Sequence, residues 1–130
     1  MRAQIFSIGT EILLGNIVDT NSQFIAQRLM EFGIDLYKME TIGDNPKRLF
    51  DAFKACDGEV DYVITSGGLG PTPDDITKEM AIKVCELENE VELDQKSFHA
   101  LLSFFNGDEE SAQSNLSLIH ISEPTRRRGI

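Results

Sequence analysis

The residues with the most chemistry to offer lie together, from Thr65 to Thr77: T-S-G-G-L-G-P-T-P-D-D-I-T. Gly67, Gly68 and Gly70 let the backbone turn sharply and come close to a ligand. Pro71 and Pro73 stiffen the way out of the loop. Asp74 and Asp75 then stand where a helix should begin. An apolar, β-prone run (Tyr62, Val63, Ile64) precedes the loop, so the unit reads strand, glycine loop, helix. Such a unit holds phosphate on backbone N–H groups. This one ends in acid and has no lysine there, and acid beside a phosphate calls for a divalent metal between them. A plainer reading stands beside that one: adjacent acids at a helix start are favourable with no metal at all, and Asp74 would serve as a cap.

Those residues need a scaffold, and the periodicity supplies one. Ala3 to Ile8 alternates and predicts a first strand, ending in Gly9-Thr10-Glu11. Ile12 to Val18 is apolar but broken by Gly15, which suggests a short hairpin or a loop packed over the sheet. Asp19 to Ser22 offers caps for a helix running to about Phe32, with Gly33 just past its end. Ile34 to Ile42 predicts a second strand. Asn45 as cap and Pro46 at the first helical position then open a helix with Leu49, Phe50, Phe53 and Cys56 on its apolar stripe.

Val60 to Thr65 is the third strand, and it delivers the glycine loop. A helix from about Asp75 to Glu86 follows, with Ile76, Met80 and Val84 inward and Glu79, Lys83 and Glu86 as a solvated face. Another, capped by Asp94, carries Phe98, Leu101, Leu102 and Phe105 as a buried stripe and leaves His99 at the surface. Asn106-Gly107 ends it, and Asp108 to Glu110 reads as a polar loop. The order βαβαβαα is that of a doubly wound α/β fold, in which strand-to-helix loops such as those carrying Gly9 and Asp44 face the ligand. Alone, Gly9 and Asp44 would be turn residues, and Asp19 and Asn21 simple helix caps.

The 130 residues suffice for one domain, and the formal net charge of −10 argues against nucleic acid and anionic membranes as partners. A small anionic ligand is compatible with that charge, because a local nest of N–H groups can override it. No run is long enough to span a bilayer, and the N-terminus lacks a signal-peptide layout, so a cytoplasmic location is expected. Cys56 and Cys85 read as reduced, buried thiols on helix faces.

The tail departs from this pattern. From Leu116 to Arg126 the chain reads L-S-L-I-H-I-S-E-P-T-R, which resembles the in-frame translation of a transposase-type sequencing-library adapter. Residues 1–115 are therefore expected to be the natural portion, a partial domain, and residues 116–130 an assembly artefact with no functional weight. Three of the 12 basic residues and one of the 22 acidic ones lie in that tail, so without it the chain is more acidic still.

Four motifs now stand in order: Gly9-Thr10-Glu11-Ile12-Leu13-Leu14-Gly15, Asp19-Thr20-Asn21, Gly43-Asp44-Asn45, and Ser66 to Thr77. Together they resemble the N-terminal domain of the competence-damage-inducible protein A (CinA) family, which is similar to the molybdopterin-binding, MoaB/Mog-like fold. The resemblance implies a three-layer αβα sandwich with a mainly parallel sheet, incomplete here on the C-terminal side, and self-association of the intact parent as a homo-oligomer. It implies divalent-metal-dependent ADP-ribose pyrophosphatase activity for the parent domain, impaired in a piece whose later strands fall beyond Asn115. Full-length members carry a separate C-terminal nicotinamide mononucleotide deamidase domain, which nothing in these residues matches.

By the same resemblance Asp74, Asp75 and Asp44 are the catalytic candidates, with Asp75 and Asp44 as metal ligands. Gly9, Thr10, Glu11, Asp19, Asn21, Ser66, Gly67, Gly68, Gly70 and Thr72 are the ligand-binding candidates. The residues alone do not separate a pyrophosphatase from an adenylyl transferase. A pterin-nucleotide binding or biosynthetic module would use the same loop, and a non-catalytic fragment is the third reading.

Overall fold

The chain's structure is a computed structural model, and it describes residues 1–89 and 93–114. The adapter-like stretch at 116–130 lies outside the described residues.

Three parallel strands, β1 (Arg2–Ile8), β2 (Asp35–Ile42) and β3 (Tyr62–Ser66), form a sheet in the order β2-β1-β3. The central strand β1 is buried from Ala3 to Ile8 because both its faces are covered. The chain first crosses from β1 to β2 and then back over β1 to β3. Right-handed crossovers running in opposite directions put their helices on opposite faces of a sheet. The core divides accordingly. On one face Ala3 and Ile5 pack against Leu29 and Ile25 of α2 (Thr20–Glu31). On the other, Phe6 and Ile8 pack with Leu49 and Phe53 of α3 (Pro46–Ala55) and Met80 of α4 (Thr77–Val84). Phe6 and Phe53 meet edge to face, ring centroids 5.2 Å apart. Helix, sheet and helix pair make the three layers, so the α/β expectation holds.

Local chemistry explains the boundaries. Asp19 caps α2 by accepting from the Ser22 backbone N–H at 3.1 Å. The helix ends in a Schellman turn, with Gly33 at φ 69° and the Ile34 N–H bonded to the Leu29 carbonyl. Asn45 caps α3 through the Arg48 N–H at 3.0 Å, with Pro46 opening the helix.

Four expectations are corrected. Ile12 to Val18 forms neither a hairpin nor a packed loop. A single-turn helix, α1 (Thr10–Leu13), stands there and ends at Gly15, φ 75°. Leu13, Leu14, Ile17 and Val18 are exposed. On α5 (Gln95–Phe104) the stripe Phe98, Leu101, Leu102, Phe105 is only half-buried, because this helix packs chiefly on α6 (Glu109–Ser114) and not on the sheet. Helix α6 replaces the expected polar loop at 108–110: Asp108 accepts from the Glu110 N–H and the Ser111 hydroxyl, and Ala112 is buried. Cys85 is exposed, past the buried face of α4, whereas Cys56 is buried as expected and burial raises its thiol pKa. Neither cysteine is in a disulfide.

Candidate functional site

The sheet places every nominated loop on one edge. The segments Gly9–Glu11, Gly43–Asn45 and Ser66–Asp75 all follow the carboxyl ends of parallel strands. The crossovers from β1 and β2 part to opposite faces there, and such a switch point opens a crevice for ligands.

The first two loops are bonded to each other. The Asp44 N–H donates to the Thr10 hydroxyl oxygen at 3.1 Å. That hydroxyl donates back to the Asp44 carboxylate, also at 3.1 Å. The Gly9 N–H donates to the Ile42 carbonyl at 2.9 Å, extending the β1–β2 ladder to the mouth of the site. Glu11 folds its carboxylate over Gly9, where an added Cβ would lie 2.7 Å from Oε1.

Helix α2 starts at the same edge. The Asp19 carboxylate caps the helix and also accepts a hydrogen bond from the Ser7 hydroxyl. Burial alone would raise the Asp19 pKa, but the bonds from Ser7 and Ser22 outweigh it and hold the pKa below the usual value. Two residues on, the Asn21 side-chain amide donates to the Ser66 hydroxyl at 3.2 Å, joining α2 to the end of β3.

The glycine loop divides into two parts. Gly67 (φ 98°) lies against β1 so closely that a Cβ there would sit 2.1 Å from the Ile8 carbonyl oxygen. At Gly68 (φ 70°) a Cβ would sit 2.2 Å from the Thr77 hydroxyl oxygen. Thr77 seals the turn: its hydroxyl donates to the Gly67 carbonyl at 2.7 Å and its N–H to the Gly68 carbonyl at 3.1 Å. These glycines therefore answer the protein's own packing, independently of any ligand.

The outer part is closed by Asp75. One of its oxygens accepts from the Thr72 hydroxyl at 2.6 Å and from the Thr72 N–H at 3.1 Å. A Cβ at Gly70 would lie 2.5 Å from that oxygen. The Thr72 hydroxyl is the main reason the Asp75 pKa falls below its usual value, against a smaller opposing effect of burial. Asp74 is exposed, and no hydrogen bond to its carboxylate occurs among the described residues. The two adjacent acids thus differ: Asp75 ties the loop and Asp74 is free to act outward.

Direct bonds therefore join Thr10 with Asp44, Asn21 with Ser66, and Thr72 with Asp75. The sequence reading gave no site role to Ser7, nor to Ser22 and Thr77, which it holds only as a cap candidate and as the end of the fourth motif. Ser7 had a signal, because strand alternation puts it on the face of β1 that also carries Ala3 and Ile5. Among the described residues no group of three or more His, Cys, Asp or Glu side chains could hold a metal.

Comparison with known proteins agrees with this architecture. Residues 4–112 match the family described as "Probable molybdopterin binding domain". A Clostridioides difficile (strain 630) protein named "Putative competence-damage inducible protein" is 46% identical over 121 residues, which cover 92% of this chain and 28% of that protein. A CinA-like protein of Kosmotoga olearia is 42% identical over 124 residues, covering 95% of this chain and 30% of that one. The chain thus spans less than a third of the length of these relatives. Among solved structures, the CinA protein of unknown function from Thermoplasma acidophilum superposes with TM-score 0.77 at 27% identity, over 90% of this chain and 68% of that chain. The molybdopterin biosynthesis enzyme MoaB of Thermus thermophilus gives TM-score 0.60 at 21% identity, over 91% of this chain and 88% of that chain, a likeness of fold alone.

Proposed function

The chain belongs to the family of probable molybdopterin-binding domains, and from that premise we propose that it binds a phosphate-bearing pterin or nucleotide in the crevice at the carboxyl ends of β1, β2 and β3. One observation carries this reading. The four sequence motifs, separated by up to some 60 residues, converge on one edge, where the first is bonded to the third through Thr10 and Asp44 and the second to the fourth through Asn21 and Ser66.

The chemistry follows from the parts. Gly67 to Thr72 is shaped by the protein's own contacts before any ligand arrives, so binding orders little backbone. Backbone amides of such a loop suit phosphate oxygens even in an acidic chain. Thr10, Glu11, Asn21 and Ser66 line the approach with hydroxyl, carboxylate and amide groups that can read a polar ring or a ribose. With a diphosphate ligand, Asp44 and Asp75 would share a divalent metal with the phosphate oxygens, and that metal would neutralise charge and acidify a bound water.

A second reading is hydrolysis of a nucleoside diphosphate linkage of the ADP-ribose type. The free carboxylate of Asp74 favours it, as a group able to orient water. The same proposal expects a cytoplasmic protein that self-associates, and the exposed Leu13, Leu14, Ile17 and Val18 offer apolar surface for that. Among the described residues no helix is long and apolar enough to cross a membrane.

The test is calorimetric titration of the chain with ADP-ribose and with a pterin, each with and without magnesium, followed by chromatography of the mixtures. Saturable binding without turnover supports the binding module. Release of AMP from ADP-ribose supports the hydrolase. Absence of binding to either ligand contradicts both.

A further inference from the structure

The side of β1 that faces α2 carries Ala3, Ile5 and Ser7. The first two pack on Leu29, but Ser7 interrupts the apolar row at 2% exposure, just before the crevice. A buried hydroxyl is costly unless it is bonded. Ser7 is bonded twice, to the Asp19 carboxylate and to the hydroxyl of Ser22, itself 1% exposed. Neither serine has a place in the apolar core, and capping α2 needs only the bond from Asp19 to the Ser22 N–H.

What the pair adds is an anchor. One Asp19 oxygen holds the helix cap and the other is tied to the central strand. Ser7 also stands in register with Ser66 on β3, and Ser66 is the partner of Asn21. The first turn of α2 is therefore pinned at two points, to β1 through Ser7 and to β3 through Ser66.

We propose that Ser7, held by Ser22, is a positioning residue: it fixes Asp19 and the first turn of α2 against the sheet, and so sets where Asn21 and Ser66 meet the ligand. The role in binding rests on the crevice being the ligand site; the anchoring does not. An alanine at position 7 would leave Asp19 with its bonds from Ser22 alone and the Ser22 hydroxyl without its Ser7 partner.

A double-mutant cycle on the full chain tests this, with Ser7→Ala, Asp19→Asn and both together, titrated with ADP-ribose and magnesium. Ser7→Ala weakens binding about tenfold, the weight of one charge-assisted hydrogen bond. The double variant binds no more weakly than Asp19→Asn alone, because Ser7 acts through Asp19. Additive losses overturn the proposal and reduce Ser7 to packing. Ser22→Ala removes the second partner of Ser7 and the Ser22 side-chain bond to Asp19 but leaves the Ser7–Asp19 bond, so it serves if Ser7→Ala does not fold, and it weakens binding a few-fold in the same direction.

Hydrogen exchange of the ligand-free chain separates this inference from the functional reading. In Ser7→Ala the Ser22 amide exchanges about tenfold faster while mid-helix amides of α2 keep their rates. Unchanged exchange at Ser22 overturns the inference even where binding is intact. Faster exchange in a chain whose wild type takes up no ADP-ribose upholds the anchor and counts against the ligand assignment alone.

Discussion

The two parts of the glycine loop lie within ten residues of each other and are held in opposite ways. The inner part, Gly67 and Gly68, is pressed against Ile8 on β1 and sealed by Thr77, a residue of α4 that is 2% exposed. Its shape is set by contact with the strand, although Gly67 itself is exposed. The outer part, Gly70 to Asp75, stands at the surface and is tied mainly by its own carboxylate to Thr72. Its shape depends on one ionised group. The difference teaches that a glycine-rich stretch followed by two acids is not a single device. Half of it is fixed by strand packing, half by a local knot that acid can loosen, and Asp74 lies outside that knot.

The largest effect should come from Gly67→Ala. A Cβ would fall 2.1 Å from the Ile8 carbonyl oxygen at a φ of 98°, and the backbone cannot give way without moving β1. A loss of about 3 kcal/mol or more in urea unfolding is expected. A loss under about 1 kcal/mol would show that the inner part is as yielding as the outer one.

Thr77→Val comes next. It keeps the shape and removes the bond to the Gly67 carbonyl. About 1 kcal/mol should be lost in the same measurement, with ligand affinity falling as the loop relaxes.

Asp75→Asn sharpens the contrast through pH. The folded-state pKa of Asp75 lies below its usual 3.8, so the unfolded chain takes up the proton more readily than the folded one. The stabilising contribution is then complete above the unfolded value and is lost as pH falls through the lowered folded value. Asp19 behaves alike. Thermal melts from pH 7 to about pH 3 should show the wild type losing more Tm than Asp75→Asn. Equal losses would mean that the Thr72 knot contributes nothing.

The smallest effect on stability belongs to Asp74→Asn. No change beyond about 0.5 kcal/mol is expected for an exposed carboxylate. Its value lies in function: AMP release abolished with binding retained would identify Asp74 as a reacting-site group. Unchanged turnover would remove it from the hydrolytic reading.

Much of this was legible in the sequence, for physical reasons that also explain the gaps. Helices α2 and α3 were readable because period, cap and stop coincide, as at Asn45-Pro46 and Gly33, whereas the three strands and α4 were readable from period alone, α4 being entered through Ile76 with no side-chain cap and not through Asp74. The ligand edge followed from the alternation of strand and helix alone. The single turn at Thr10–Leu13 was not readable, since an apolar run says nothing about whether a neighbour covers it. The stripe on α5 had helical spacing, yet spacing does not say whether its partner is the sheet or another helix. Asp108 to Glu110 has the composition of a loop, yet Asp108 caps a helix, because acids serve both roles. The distinct duties of Asp74 and Asp75 were hidden for a simpler reason: which of two adjacent acids reaches Thr72 is decided by backbone geometry.

The central claim is that loops from three strands and the start of α2 make one ligand site. Amide chemical shifts followed during titration with ADP-ribose and magnesium test it most directly. A single site gives saturable shifts confined to Gly9–Glu11, Asp44, Asn21 and Ser66–Thr72, all following one binding curve. Shifts centred on α5 and α6, or separate curves for the β1 and β3 loops, would contradict it.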